Sequence, residues 1–129
     1  MINKVILIGR LTKDPETRVL SSGSSVSTFT LAVDRTFKSR DGERGTDFIP
    51  IVAWGKTAEL CGEYLQKGSL AGIAGRIQTR SYEAKDGTKR YVTEVVAEEI
   101  SFLTPKKEQN QYVDDIASEY GFMDEDDPF

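Results

Sequence analysis

The sequence predicts an all-β domain with one helix, arranged as a five-stranded Greek-key barrel and followed by a flexible acidic C-terminal tail. Three observations predict this class. Five segments within residues 3–104 are rich in β-branched and aromatic residues and are bounded by Gly, Asp, Ser or Pro. The segment between the third and the fourth of them has helical periodicity instead. Residues 108–129 contain 8 acidic residues and no basic residue.

The strand segments differ in how their apolar residues are arranged. The first is apolar on both parities, which is typical of a strand that is buried on both faces or closed into a barrel. The Asp86-Gly87 step predicts a tight hairpin between the fourth and fifth strands, and residues 40–43 predict a similar turn between the second and third. The predicted strands are residues 3–11, 26–37, 47–54, 69–82 and 90–103.

A single helix is predicted after the third strand. Thr57 can cap its start and Glu59 lies in its first turn, while Lys67 followed by Gly68 predicts its end. The order of three strands, one helix and two strands is that of the OB-fold, a partly open barrel that often binds oligonucleotides. Other small barrels share this order, so the order alone does not decide the fold.

The residue types that are present exclude most enzyme classes. With no His and with Cys61 as the single cysteine, the chain can form no His-based triad, no His metal ligand, no internal disulfide and no thiolate zinc site. Cys61 has helical spacing with Ala58 and Leu65, so we expect it to be a small buried hydrophobe. We therefore expect a protein that is not an enzyme and that needs no cofactor and no metal.

Length and hydropathy indicate the cellular compartment. A chain of 129 residues supports one domain, or a smaller domain with a tail. No stretch approaches the roughly 20 apolar residues of a membrane helix, and residues 1–10 lack the features of a signal peptide. We therefore expect a soluble, cytoplasmic protein.

Charge is distributed unevenly along the chain, although the net charge is only −4. All 17 basic residues lie between Lys4 and Lys107, and with the 13 acidic residues of that segment they leave a net charge of +4. The chain then ends in Asp-Glu-Asp-Asp-Pro-Phe. A mildly basic body with an acidic tail is expected of a protein that meets a polyanion and carries an interaction tail.

Strand parity separates two faces in the third and fourth strands. In the fourth strand, an apolar face of Ala71, Ile73, Gly75 and Ile77 opposes a face of Arg76, Gln78, Arg80 and Tyr82. In the third strand, Ile49, Ile51 and Ala53 oppose Phe48, Pro50, Val52 and Trp54.

The aromatic face has two interpretations that parity leaves open. Its rings can lie outside the barrel and stack on unpaired bases while Arg and Lys hold the phosphates. Alternatively, Phe48 and Trp54 form the core and the Ile face meets a partner subunit. Phe37 has the parity of core residues, so an exposed Phe37 requires a bulge or twist near Asp34.

Several motifs occur in a specific order along nearly the whole chain. They are Asn3-Lys4-Val5-Ile6-Leu7-Ile8-Gly9-Arg10-Leu11, Asp14-Pro15-Glu16-Thr17-Arg18, Trp54-Gly55-Lys56-Thr57-Ala58-Glu59, Glu63-Tyr64-Leu65-Gln66-Lys67-Gly68-Ser69, Gly75-Arg76-Ile77-Gln78-Thr79-Arg80-Ser81-Tyr82, Tyr91-Val92-Thr93-Glu94-Val95-Val96 and Asp126-Asp127-Pro128-Phe129. Together they resemble the bacterial-type single-stranded DNA-binding proteins, the SSB family. The resemblance implies a homotetramer of OB-folds that wraps single-stranded DNA and recruits replication and repair enzymes through its last residues.

The resemblance assigns roles to individual positions. Stacking aromatics of the family match Phe37, Phe48, Trp54 and Tyr82. Phosphate-binding residues match Arg10, Arg35, Lys56, Lys67 and Arg80, and strand parity adds Arg76. The partner-binding tip corresponds to Asp124, Glu125, Asp126, Asp127, Pro128 and Phe129. Pro50 and Gln78 stand where relatives can have Arg, which predicts fewer phosphate contacts.

The predicted domain organisation has three parts: an OB-fold domain at 1–104, a short linker at 105–123 and the acidic tip at 124–129. The linker is short for the family. Val113, Ile116, Ala117 and Tyr120 have helical spacing within it, either as a second docking element or, as we favour, as marginal helicity in a flexible tail.

The sequence thus favours a non-enzymatic protein that coats and protects single-stranded DNA with little sequence preference during replication, recombination and repair. A primosomal or RNA-binding OB-fold protein is the alternative within the binding proteins. A metal-dependent nuclease is the alternative among enzymes, but the acidic residues of the body form no compact cluster in the sequence.

Overall fold

The computed structural model describes residues 1–38, 40, 42 and 44–104, and the side chains of residues 37, 38 and 44 are outside this description. The predicted linker with its helical spacing, the acidic tip and the side chain of Phe37 therefore lie outside the described residues.

Six strands and one helix make up the described part of the chain. Their order is β1 (Val5–Leu11), β2 (Glu16–Val19), β3 (Ser25–Lys38), β4 (Arg44–Trp54), α1 (Gly55–Tyr64), β5 (Leu70–Glu83) and β6 (Lys89–Phe102). All five predicted strands are present, and β4 begins three residues earlier than predicted. The short strand β2 was not predicted.

The strands close into a barrel. Their order in the sheet is β1-β5-β6-β4-β3-β2, and β1 also pairs with β3 at Arg10 and Leu11, which closes the ring. Most neighbours are antiparallel, but β4 and β6 are parallel at Ile51–Val95 and Val52–Val96. This is a closed five-stranded OB-fold barrel with β2 added at the edge of β3, so the predicted fold class is confirmed.

Tertiary contacts hold β2 in place. All four of its residues are exposed, which explains why its sequence lacks an apolar pattern. The Thr17 and Ser27 hydroxyls share a hydrogen bond of 3.0 Å across the β2–β3 pair. On the other side, a Cβ added at Gly62 of α1 would lie 2.9 Å from the Thr17 hydroxyl oxygen, so the helix approaches β2 closely only because residue 62 is glycine.

The predicted helix boundaries were wrong at both ends. Trp54 is the N-cap and makes no side-chain cap bond, so Thr57 is not the cap and Glu59 lies beyond the first turn. Gly55 has φ +60°, a conformation that costs glycine little, and it turns the chain directly from β4 into α1. The helix ends at Tyr64, and Gly68 instead forms a separate turn, where its N–H donates to the Leu11 carbonyl over 2.9 Å.

The core is built from alternate strand residues and one face of the helix, as parity predicts, but the prediction was wrong for Ile77, which is 48% exposed beyond the end of the core. Ile51 and Ile73 are almost completely buried, and Ala58, Cys61 and Leu65 of α1 pack against the same cluster. Burial raises the pKa of the Cys61 thiol to about 12, which makes it an unreactive core residue as expected.

Register shifts occur at two places in the barrel. One lies between Asp34 and Lys38 in the β3–β4 pair, in the region where an exposed Phe37 would require a bulge or twist. The other lies at Ala74/Gly75 in the β5–β6 pair, where Glu98 is the extra residue of β6. A Cβ at Gly75 would overlap the Val96 carbonyl oxygen, so this crossing requires glycine.

Candidate nucleic-acid interface

Three of the four predicted stacking rings lie on the outside of the barrel. Phe48 is 65% exposed, Trp54 47% and Tyr82 49%, whereas Ile51 of the opposite β4 face is 1% exposed. The interpretation in which Phe48 and Trp54 form the core is therefore wrong. A cluster of large exposed rings on one face of a sheet is typical of a binding surface.

Strand register places the rings on two neighbouring parts of the outer surface. Phe48 is opposite Ala32, and Trp54 is opposite Val26, so the outer face of the β3–β4 pair carries both rings. Tyr82 is opposite Arg90, on the same face of the β5–β6 hairpin as the Gln78–Glu94 and Arg80–Val92 pairs. The hairpin ends in the predicted turn, where Gly87 has φ +84°. Asp86 accepts hydrogen bonds from the Thr88 hydroxyl and N–H in this turn, which lowers the pKa of its carboxyl.

A groove of about 470 Å³ separates these two parts. Thr28, Thr30 and Pro50 form much of its floor, and Arg80 and Glu94 of the hairpin lie on one side. Lys13 and Arg18 line it as well, beside and within β2, and the sequence did not single them out as site residues. Lys13 and Arg18 were not predicted as site residues because strand β2 was not predicted. Arg18 lies at the groove only because β2 pairs with β3.

Val52 lies on the aromatic face of β4 yet is buried. It contacts Val26 of β3 and Val96 of β6, and these three valines form a second, small apolar cluster outside the main core. Arg76 is opposite Val96 and therefore belongs to the same outer face. Its Nη1 lies 3.5 Å from the Glu98 carboxylate. The cluster supplies a packed support beneath the exposed side chains.

The candidate cations fall into two groups by position. Arg10 shares a cross-strand row with Ala32 and Phe48, and its Nη1 donates to the Gly68 carbonyl at 3.1 Å. Lys56 lies in the first turn of α1, two residues after Trp54, and is exposed.

The second group lies apart from the rings. Arg35 binds Asp47 at 2.9 Å, and Asp47 has the opposite strand parity to Phe48, so this pair lies on the other side of the β3–β4 arm. The bond to Asp47 raises the pKa of Arg35 and lowers that of Asp47. Exposed Lys67 lies in the turn after α1, where its backbone N–H donates to the Asp14 carboxylate at 2.7 Å.

Arg80 differs from the other cations in that its carboxylate partner is buried. Its Nε donates to Glu94 Oε1 at 2.9 Å, and the amide nitrogen of Gln78 donates to the same oxygen at 3.2 Å. The Glu94 side chain is 9% exposed, whereas that of Arg80 is 53% exposed. The hairpin thus carries a buried carboxylate beneath a half-exposed guanidinium.

A second outer surface, on β1 and β5, has a different chemistry. Ile6 is 81% exposed, and Ile8 and Leu103 are also largely exposed. They surround a shallow groove of about 290 Å³ whose floor includes Gly72 and Ala74. We call this surface the aliphatic face and the ring-bearing one the aromatic face.

No group of three or more metal-ligating side chains occurs among the described residues. Within the same residues, α1 is too short and too polar to span a membrane.

Comparison with known proteins identifies the family. A family model described as "Single-strand binding protein family" matches residues 2–103. The chain belongs to this family.

Curated relatives agree with this assignment over most of their length. "Single-stranded DNA-binding protein 2" of Clostridium acetobutylicum is 61% identical over 110 residues, which cover 84% of this chain and 82% of the relative. The "Single-stranded DNA-binding protein" of Clostridium tetani is 64% identical over 103 residues, 79% of this chain and 70% of the relative. "Single-stranded DNA-binding protein 1" of Staphylococcus aureus is 55% identical over 114 residues, 88% and 73% of the two chains. These names describe binding proteins, in agreement with the expectation that the chain is not an enzyme.

Proposed function

We propose that this protein binds single-stranded DNA with little sequence preference, and that the aromatic face is the binding surface. The observation that carries the proposal is the outward placement of Phe48, Trp54 and Tyr82 on the barrel surface. Between the two parts of that surface lies the groove, whose lining includes three basic residues, Lys13, Arg18 and Arg80, together with the acids Asp14, Glu16 and Glu94. Exposed rings stack on unpaired bases, which double-stranded DNA does not offer. Every base has a flat face, so stacking discriminates weakly between sequences.

Binding of DNA phosphates by basic side chains is the second part of the proposed contact. Arg10, Arg76 and Arg80 share the outer surface with the rings, and Lys56 follows Trp54 at the start of α1. Lys67 and Arg35 lie farther from the groove and fit a strand that continues around the barrel. Phe37 completes the proposed stacking set. We assign phosphate binding to all six of these cations, and we add Lys13 and Arg18.

The aliphatic face fits a second copy of this chain. Among the described strands, β1 pairs with β5 along its length but with β3 only at Arg10 and Leu11, so its edge at Val5–Gly9 is open. An open edge can pair with the same edge of another copy about a two-fold axis. Ile6 and Ile8 lie on this strand, and fully burying an Ile side chain contributes about 1.5 to 3 kcal/mol. We propose that this edge contact joins two copies, and that a second contact through the exposed aliphatic side chains of the same face joins two such dimers into a homotetramer.

We further propose that residues 124–129 recruit replication, recombination and repair proteins, with residues 105–123 as the tether. The Phe129 ring suits an apolar pocket with a basic rim, and the four acids at 124–127 raise the rate of encounter. The site of action is the cytoplasm, at nucleoid regions where single strands are exposed.

Titration with oligothymidine tests the function directly. Trp54 is the only tryptophan of the chain, so quenching of its fluorescence reports contact at the aromatic face. We expect quenching with oligothymidine and much weaker competition by duplex DNA. Unlabelled RNA of matched length is the second competitor. Binding to RNA that equals binding to DNA would contradict the proposal, as would unchanged Trp54 emission at saturating DNA.

A further inference from the structure

Glu94 is out of place on a surface that binds a polyanion. Its carboxylate lies in the wall of the groove, 9% exposed, on the same face of β6 as Val92 and Val96. The two valines show that this face accepts apolar side chains on either side of residue 94. Burying a carboxylate costs free energy unless it is paired, and its charge repels phosphates. An acid here therefore requires a reason other than solubility.

The hydrogen bonds of Glu94 supply that reason. Arg80 Nε donates to Oε1 at 2.9 Å and Gln78 Nε2 donates to the same atom at 3.2 Å. Nε is one of three guanidinium nitrogens. Nε is occupied by Glu94, whereas the Arg80 side chain is 53% exposed and lines the groove, so we infer that its two terminal nitrogens serve the ligand.

Fixing a long side chain before binding lowers the cost of using it. A free arginine loses rotamer freedom when it grips a phosphate, and an arginine already held by a neighbour has less to lose. The same carboxylate also accepts a hydrogen bond from the amide of Gln78 and so fixes its direction. Glu94 thus determines the direction of the two polar side chains of this strand segment.

We propose that Glu94 is a positioning residue for DNA binding, which holds Arg80 and Gln78 in the orientation that meets the strand. This inference rests on the proposed function, because Arg80 must be a DNA contact. The proposal predicts a change in DNA affinity opposite to the one expected from charge alone. Removal of this negative charge weakens binding to a polyanion, whereas simple electrostatics requires that binding tighten.

Glu98 provides the matched control. It is also an acid of β6 beside an arginine of β5, but its side chain is 48% exposed and its distance to Arg76 is 3.5 Å. It is too exposed and too distant to fix Arg76 strongly. We expect Glu98→Gln to tighten binding slightly at low salt, as charge removal alone would.

The experiment compares Glu94→Met, Glu94→Gln and Glu98→Gln by oligothymidine titration of Trp54 fluorescence at several salt concentrations. Met removes both charge and acceptor at similar volume, and we expect about two- to tenfold weaker binding, the cost of ordering one long side chain. Its log-log salt slope should fall by up to about 0.7, the value for one phosphate contact on a single strand. Gln removes the charge but keeps an acceptor oxygen, so it should bind between Met and wild type.

Arg80→Ala and the Arg80→Ala/Glu94→Met double variant complete the cycle. We expect Arg80→Ala to weaken binding and Glu94→Met to add little to it. If Glu94→Met and Glu94→Gln both tighten binding as Glu98→Gln does, the positioning role is overturned. If Glu94→Met fails to fold, weaker binding by Glu94→Gln than by wild type supports the role, and binding as tight as wild type or tighter overturns it.

The same set separates this inference from the proposed function. Wild type that does not bind oligothymidine contradicts the function itself. Wild type that binds, with Arg80→Ala weakened but both Glu94 variants not, contradicts only the role of Glu94. An Arg80→Ala variant that binds as wild type also overturns the inference, because Glu94 then has no contact to position.

Discussion

The aromatic face and the aliphatic face are both outer surfaces of one barrel, yet they carry opposite chemistry. The aromatic face carries the exposed rings Phe48, Trp54 and Tyr82 together with arginines, and a groove of about 470 Å³ lined in part by Arg18 and Arg80 lies on it. On the aliphatic face, Ile6, Ile8 and Leu103 are exposed around small residues. Strand alternation explains why both sets point outward. Only the residue types indicate that one face suits nucleic acid and the other suits another protein subunit.

The largest expected effect concerns the aliphatic face. Ile6→Glu should disrupt the proposed tetramer, because a carboxylate buried in an apolar interface without a partner costs several kcal/mol. Light scattering at micromolar concentration should show a smaller assembly than wild type. Val19→Glu is the matched control, since Val19 is 68% exposed and does not line this face, and it should leave assembly unchanged. Normal assembly of Ile6→Glu would show that β1 is not the contact.

The next largest effect concerns the rings. Phe48→Ala, Trp54→Ala and Tyr82→Ala should each weaken oligothymidine binding by about 1 to 3 kcal/mol, the value of one stacked base, with little change in thermal stability. Anisotropy of a labelled oligonucleotide measures all three, including the variant without tryptophan. Tyr91→Ala is the control: Tyr91 is 76% exposed but lies on the opposite face of the hairpin from Tyr82. Equal losses for Tyr82 and Tyr91 would argue against a one-sided aromatic face.

Phosphate contacts should produce a smaller effect that depends on position. Ala substitution of Arg10 or Arg80 should reduce the log-log salt slope by about 0.7. Arg35→Ala should reduce it less, because Arg35 already binds Asp47 on the other side of the arm. Titrations between low and moderate salt give the slopes. Identical reductions for the three variants would show that position relative to the rings does not matter.

The tail should have a weaker influence on DNA binding. Residues 108–129 carry 8 acids, and a random coil of 22 residues would reach about 25 Å, enough to compete for the basic surface. Deletion of residues 123–129 should tighten DNA binding at low salt by no more than about fivefold, because exposed charge pairs contribute at most about 1 kcal/mol. The gain should disappear as salt rises. Phe129→Ala keeps every acid and should leave DNA affinity unchanged while partner binding falls.

The smallest effect is expected in chemical labelling of the Cys61 thiol, whose protection shows that the core between the two faces is intact. Its thiol is fully buried and its pKa is raised to about 12, so almost no thiolate exists at pH 8. A thiol reagent should label the native protein very slowly at that pH and label it fully in denaturant. Variants of either face that keep this protection have an intact barrel. Fast labelling of native wild type would contradict the burial of α1 against the core.

The sequence by itself determined the elements whose signal is local. Alternation along the strands, the Asp86-Gly87 turn and the apolar run of β1 depend on neighbouring residues, and they predicted the five barrel strands and their order. The likeness of residues 2–103 to a known family could also be recognised from sequence. The helix boundaries could not, because the turn at Gly55 and the packing of Ala58 and Cys61 replaced the side-chain cap that Thr57 predicted.

Tertiary structure alone decided which face is outside. Strand parity assigned Phe48 and Ile51 to opposite faces of β4 but did not indicate which face points into the core, since aromatic and aliphatic side chains can each fill a core. Closure of β1 onto β3 and packing of α1 against Ile51 and Ile73 fix the aliphatic side chains inside, and the rings are therefore exposed. The strand β2, with Arg18, and the bond between Glu94 and Arg80 also depend on pairing between distant segments, a contact that no local pattern encodes.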